Sequence, residues 1–140
     1  MERGLTITAL DPDEDYLGIE IVASNERFAG SAYIYAGVDE LSELAAKLDG
    51  FPHSSDDRRA HEFGNRDPAF AGGFVSIAWH CLDRAGHLGV DLVLEDDASR
   101  YPPAHAAFSF QTEPAAVDHF IEDLRKIESN RFGSASLTLS

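Results

Sequence analysis

The chain has 140 residues, 44% hydrophobic and 10% aromatic, and sets 25 Asp and Glu against 11 Lys and Arg for a formal net charge of -14. That length suits a single domain, 1–130 with a tail over 131–140, able to bury roughly two thirds of its unfolded surface without disulfides. The charge exceeds the magnitude of about 2 to 8 usual for a small domain, and it argues against nucleic acid and anionic membranes, which are gripped by Lys and Arg clusters.

One cysteine, Cys81, excludes an internal disulfide framework and fits a reducing compartment. The first residues, MERGLTITALDPDEDY, lack the basic and apolar regions of a signal peptide. No apolar run approaches the roughly 20 residues of a membrane span. The expectation is a cytoplasmic protein.

In chain order, Leu5 and Ile7 alternate with Thr6 and Thr8 as a short strand. After an acidic turn over 11–15, Leu17, Ile19 and Ile21 alternate with Gly18, Glu20 and Val22. Asn25-Glu26 then turns the chain into a strand over 28–35, which makes a hairpin. The period changes at Asp39, an N-cap residue, and Leu41, Leu44, Ala45 and Leu48 predict a helix over 39–49. Residues 50–60 are a polar loop, and any strand over 61–72 is short and irregular.

Strands over 74–82 and 87–95 flank Asp83-Arg84-Ala85-Gly86. With these four residues as the loop, Val75, Ile77, Trp79 and Cys81 share one apolar face with Leu88, Val90, Leu92 and Leu94; a shift of one residue would break the match. A last strand surrounds Ala106–Gln111. Thr112 can cap a final helix opened by Pro114, whose apolar face is Val117, Phe120, Ile121, Leu124 and Ile127. The tail, RFGSASLTLS, is a frayed end or a short added strand. The order β-β-β-α-β-β-β-α, with hairpin-length connections, predicts an α+β domain: one mainly antiparallel sheet of about six strands with two helices packed on it.

Enzyme motifs are absent: there is no GxSxG elbow, no phosphate loop and no GxGxxG. The expectation is a protein that is not an enzyme and carries no cofactor. The acidic segment DPDEDYLGIE lacks the sixth-place glycine and the flanking helices of a calcium loop. Cys81 lies on the apolar face, opposite to His80, and behaves there as a small hydrophobe. His80, His87 and Asp91 fall on one sheet face as diagonal neighbours and have the ligand types of a facial metal site; a polar face that happens to carry histidines is the other reading. Tyr33 and Tyr35 share a strand face, and exposed aromatics beside carboxylates suit a protein interface. A covering by a curved sheet or by the 50–73 segment is the alternative.

Several short segments resemble WapI-type bacterial immunity proteins, which neutralise secreted contact-dependent toxins. They are Asp15-Tyr16-Leu17, Phe28-Ala29-Gly30-Ser31, the helix opening Asp39-Glu40-Leu41, Gly86-His87-Leu88-Gly89-Val90, and Phe108-Ser109-Phe110-Gln111-Thr112. Together they span roughly 15–128, and the polar 50–73 region departs by its length. The resemblance implies an antiparallel sheet with two helices and a binding role, with no catalytic residues to carry over. A toxin acting on nucleic acid presents a basic cleft, and an acidic inhibitor is steered onto it.

Three expectations therefore stand together. The first is a non-enzymatic acidic inhibitor of a basic protein partner such as a toxin. The second is a metal- or ligand-binding protein using His80, His87 and Asp91. The third is a homodimer, rather than a monomer, joined through a strand edge such as the tail over 134–139.

Overall fold

In the computed structural model, which describes residues 3–67, 69–97 and 99–139, the hairpin over 74–95 pairs in the register its apolar pattern dictates. Strands β5 (Phe74–Cys81) and β6 (Leu88–Glu95) set Val75 against Leu94, Ile77 against Leu92, Trp79 against Val90 and Cys81 against Leu88. The Leu82 amide donates to His87 O at 2.8 Å, and Asp83 Oδ1 accepts from the Ala85 amide at 2.7 Å. Both faces of the loop are thus tied by its own residues.

With this hairpin included, the described residues form eight strands and two helices. The first sheet has the order β3-β2-β1-β8, with β1 (Gly4–Pro12), β2 (Leu17–Ser24), β3 (Ala29–Ala36) and β8 (Gly133–Thr138). The second has the order β4-β5-β6-β7, with β4 (Arg58–Gly64) and β7 (His105–Thr112) as its edges. All six pairings are antiparallel. The expected single sheet of six strands is therefore two sheets of four. The tail is β8, paired along β1, so one edge of the strand invoked for a homodimer is already taken by its own chain.

The other correction is β4, an ordered seven-residue strand where a polar loop running to residue 60 and a short, irregular stretch were expected. Its inward positions are Arg59, His61 and Phe63, only one of them apolar, which hides the alternation.

Helix α1 (Glu40–Leu48) buries Leu41, Leu44, Ala45 and Leu48; helix α2 (Pro114–Asn130) buries Val117, Phe120, Ile121, Leu124 and Ile127, the face its spacing defines. Asp39 stands at the N-cap of α1 without a side-chain cap bond. Thr112 does not cap α2. It is fully buried at the end of β7 and donates its hydroxyl to Thr138 O at 2.7 Å, while Glu113 takes the N-cap position. That bond ties the end of β7 to the end of β8, and so one sheet to the other.

Both sheets and both helices share one core, with Trp79, Phe63 and Phe120 among its largest fully buried side chains. Each such burial contributes about 1.5–3 kcal/mol. On the outer edge of β3, the Gly73 amide donates to Tyr33 O at 2.8 Å. Among the described residues, no helix is long and apolar enough to cross a membrane.

Candidate binding groove

Where the end of β3 meets the start of α1 and the end of β4, an open groove of about 530 Å³ forms. It is lined by Tyr16, Tyr35, Glu40, Glu62, Gly64, Asn65, Phe70 and Ala71. Its size falls within the range of about 300–1,000 Å³ typical of ligand sites. Among the described residues, two carboxylates and three aromatic rings line it, and no Lys, Arg or His does.

The aromatic wall begins with an irregularity in β1. The register of β1 on β2 slips between Ala9 and Asp11, so that Asp11, not Leu10, faces Gly18. A bulge re-aims the side chains that follow it, and Asp11 comes to the outer face of the sheet. Tyr33 donates its hydroxyl to Asp11 Oδ2 at 2.6 Å. Gly18 makes that bond feasible, because a Cβ there would lie 2.0 Å from the Tyr33 hydroxyl. Burial first, then the bond to Asp11, hold the Tyr33 hydroxyl protonated well above the ordinary tyrosine range.

Tyr35 stacks edge-on with Tyr33 (centroids 5.1 Å, 73°) and with Tyr16 (5.2 Å, 84°). Edge-to-face pairs of this kind satisfy the ring quadrupoles and fix ring orientation. Tyr35 is 46% exposed and Phe70 57% exposed. The backbone at Gly72 lies close beneath Tyr35: a Cβ there would sit 3.0 Å from the ring, and its φ of +90° suits glycine. The 64–73 segment is thus pressed against the tyrosines rather than covering them. Tyr33 and Tyr35, expected as partner-contacting residues, come out differently. Tyr35 opens to the groove, whereas Tyr33 is half-buried and props it.

The opposite wall is held by a polar relay through a buried histidine. His61 is 5% exposed. Lys47 Nζ lies 3.0 Å from His61 Nδ1, and His61 Nε2 lies 2.9 Å from Glu40 Oε2. An ammonium can only donate, so Nδ1 accepts and Nε2 carries the proton toward Glu40. Glu40 Oε1 accepts from the Gly37 amide at 3.1 Å. The relay locks the N-terminus of α1 onto β4 and fixes the Glu40 carboxylate at the rim.

Below it, Arg59 clamps the other end of α1. It donates from Nε and an amino nitrogen to both oxygens of Asp57 (2.8 and 2.7 Å) and from the other nitrogen to the carbonyls of Lys47 (2.6 Å) and Asp49 (3.2 Å). The Arg59 hydrogen bonds hold the Asp57 carboxyl at a pKa of about 2, below its ordinary 3.8.

The histidine face is built differently. His80 Nε2 lies 3.1 Å from Asp91 Oδ2, and Ser109 donates to Asp91 Oδ1 at 2.6 Å. Gly89, opposite His80, leaves room for the ring, since a Cβ there would meet Nε2 at 2.8 Å. His87 turns instead to its own loop and donates from Nδ1 to Asp83 Oδ2 at 2.5 Å. The three predicted ligands are split into two pairs. Among the described residues, no group of three or more His, Cys, Asp or Glu gathers so as to hold a metal ion. Cys81 is half-buried against the core, its thiol donating to Ser54 O at 3.6 Å.

Sequence reasoning singled out neither Glu40, Glu62, Phe70 nor His61 as site residues. The available signal was Phe70, an aromatic residue isolated in a polar segment. Fold and groove together define an α+β protein of two antiparallel sheets whose described residues form an aromatic, acidic groove. Compared with protein-family models, with curated proteins and with solved structures, the chain matches none.

Proposed function

We propose that this chain is a non-enzymatic acidic binding protein that occludes a basic protein partner, in the manner of an immunity protein neutralising a toxin. The observation that carries the reading is the groove, where exposed Tyr35 and Phe70 stand beside Glu40 and Glu62 with no basic side chain in the lining. Exposed aromatic anchors supply contact area at an interface. A net charge of -14 steers a cationic partner from a distance and raises the encounter rate. The likeness to WapI-type immunity proteins over 15–128 points the same way, and a cytoplasmic setting accords with the single free cysteine.

The test is capture of partners from the source cell on the immobilised chain, followed by identification and kinetics. The expected partner is a basic protein whose activity is suppressed in the complex, with an association rate falling at least about tenfold between low and high salt. An acidic or neutral partner, or a salt-independent rate, would contradict the reading.

A further inference from the structure

We infer that the groove receives one arginine side chain of the basic partner, its guanidinium lying against the tyrosine rings and pairing with Glu62. The inference rests on the binding role above and names the chemistry that role would use. The fold itself supplies the pattern twice. Arg66 lies 4.1 Å above the Phe74 ring while its Nε donates to Glu95 Oε2 at 2.6 Å. Arg59 lies 5.6 Å from the Phe51 ring while it forks onto Asp57. An aromatic ring and a carboxylate flank the guanidinium each time.

The groove offers the same two partners, with all its described lining acidic, aromatic or neutral. Tyr16 and Tyr35 stand at 84° to each other, so their electron-rich faces point in different directions around one space. Glu40 is engaged on both oxygens, by Gly37 and His61, and contributes field. Glu62 is exposed on β4 and can take the fork. Arginine is favoured over lysine because a planar guanidinium stacks and forks at once, whereas an ammonium is compact and strongly hydrated. Glu40 and the tyrosine rings belong to different elements and are held in place independently, by the relay through His61 and by the bond of Tyr33 to Asp11.

The experiment is an amide-resolved NMR titration with the peptide acetyl-Gly-Ser-Arg-Ser-Gly-amide and its lysine and citrulline analogues. Saturable shifts are expected at the Gly64, Asn65 and Ala71 amides with the arginine peptide. Affinity should be about fivefold or more weaker for lysine and lost for citrulline, which keeps the shape without the charge. Tyr35→Ala and Glu62→Gln should each weaken binding about fivefold or more, while Tyr35→Phe keeps the ring and retains it. Asp118→Asn, on α2, should leave it unchanged. Equal response to all three peptides, shifts spread over the helices, or indifference to Glu62→Gln would overturn the inference. A captured basic partner that binds Tyr35→Ala and Glu62→Gln as tightly as the parent would overturn the arginine pocket and leave the binding role standing. An arginine peptide that titrates into the groove when no basic protein is captured would do the reverse.

Discussion

The groove and the histidine face both combine aromatic or imidazole rings with carboxylates, yet they are opposite kinds of surface. On the outer face of β5 and β6 the titratable groups pair off: His80 and Ser109 meet Asp91, and His87 at the loop meets Asp83. The pairs lie along the sheet. At the groove, Tyr33 paired with Asp11 and His61 paired with Lys47 support the wall from outside the lining, Glu40 is held at the rim, and Tyr35, Phe70 and Glu62 face the open space. Hydrogen bonds used as supports hold a shape open; the same bonds used between neighbours merely finish a surface.

The largest test of that contrast is Arg59→Ala. It takes the Arg59 donor from two helix-terminal carbonyls and leaves Asp57 with the His53 amide, and is expected to cost about 2–3 kcal/mol, since hydrogen bonds to charged groups are among the stronger ones. Thermal unfolding should show a midpoint lower by several degrees. Gly18→Ala comes next, at about 1–3 kcal/mol, because its methyl group must displace the Tyr33 hydroxyl. Loss of the Tyr33–Asp11 bond would appear in an ultraviolet titration as tyrosine ionisation at lower pH than in the parent. His61→Phe would test the relay that fixes Glu40. Groove amides such as Asn65 are expected to shift in NMR spectra while those at Ala78 and Gly89 stay in place.

Acid gives a smaller effect of defined sign. Asp57 ionises more readily in the folded protein, near pH 2 against 3.8, so its pairing with Arg59 stabilises the fold fully above about pH 4. That contribution fades as pH falls toward 2. After allowance for solvent screening it is about 1 kcal/mol, measurable as the difference between parent and Asp57→Asn unfolding at pH 6 and pH 2. The smallest expected effects are those of His80→Ala and His87→Ala, within about 0.5 kcal/mol as for exposed ion pairs. A larger loss, or stoichiometric zinc in native mass spectrometry abolished by His87→Ala, would reverse the ranking of the two surfaces.

What could be foreseen in the sequence divides along the same line. The register of the hairpin over 74–95 was legible because every inward position is apolar, so one register alone keeps the face continuous; each strand ends one residue short of the expected loop. The α2 face was legible for the same reason. Strand β4 was not, because Arg59 and His61 occupy inward positions and are satisfied by partners on α1, far along the chain. Strand β8 is short and carries only Ala135 and Leu137 inward. Nor can local periodicity say that strands on either side of a helix join separate sheets, since that is decided by pairing between distant segments. Tyr35 was found as half of an aromatic pair, but the groove beside it needed β4 and the 64–73 segment to be in place.

The most direct test of the account is amide hydrogen exchange of the protein alone and bound to a captured basic partner. The account predicts slowed exchange over 62–72 in the complex, with the outer strand residues around His80 and Asp91 unchanged. Protection centred on β5 and β6, with 62–72 exchanging as in the free protein, would contradict it.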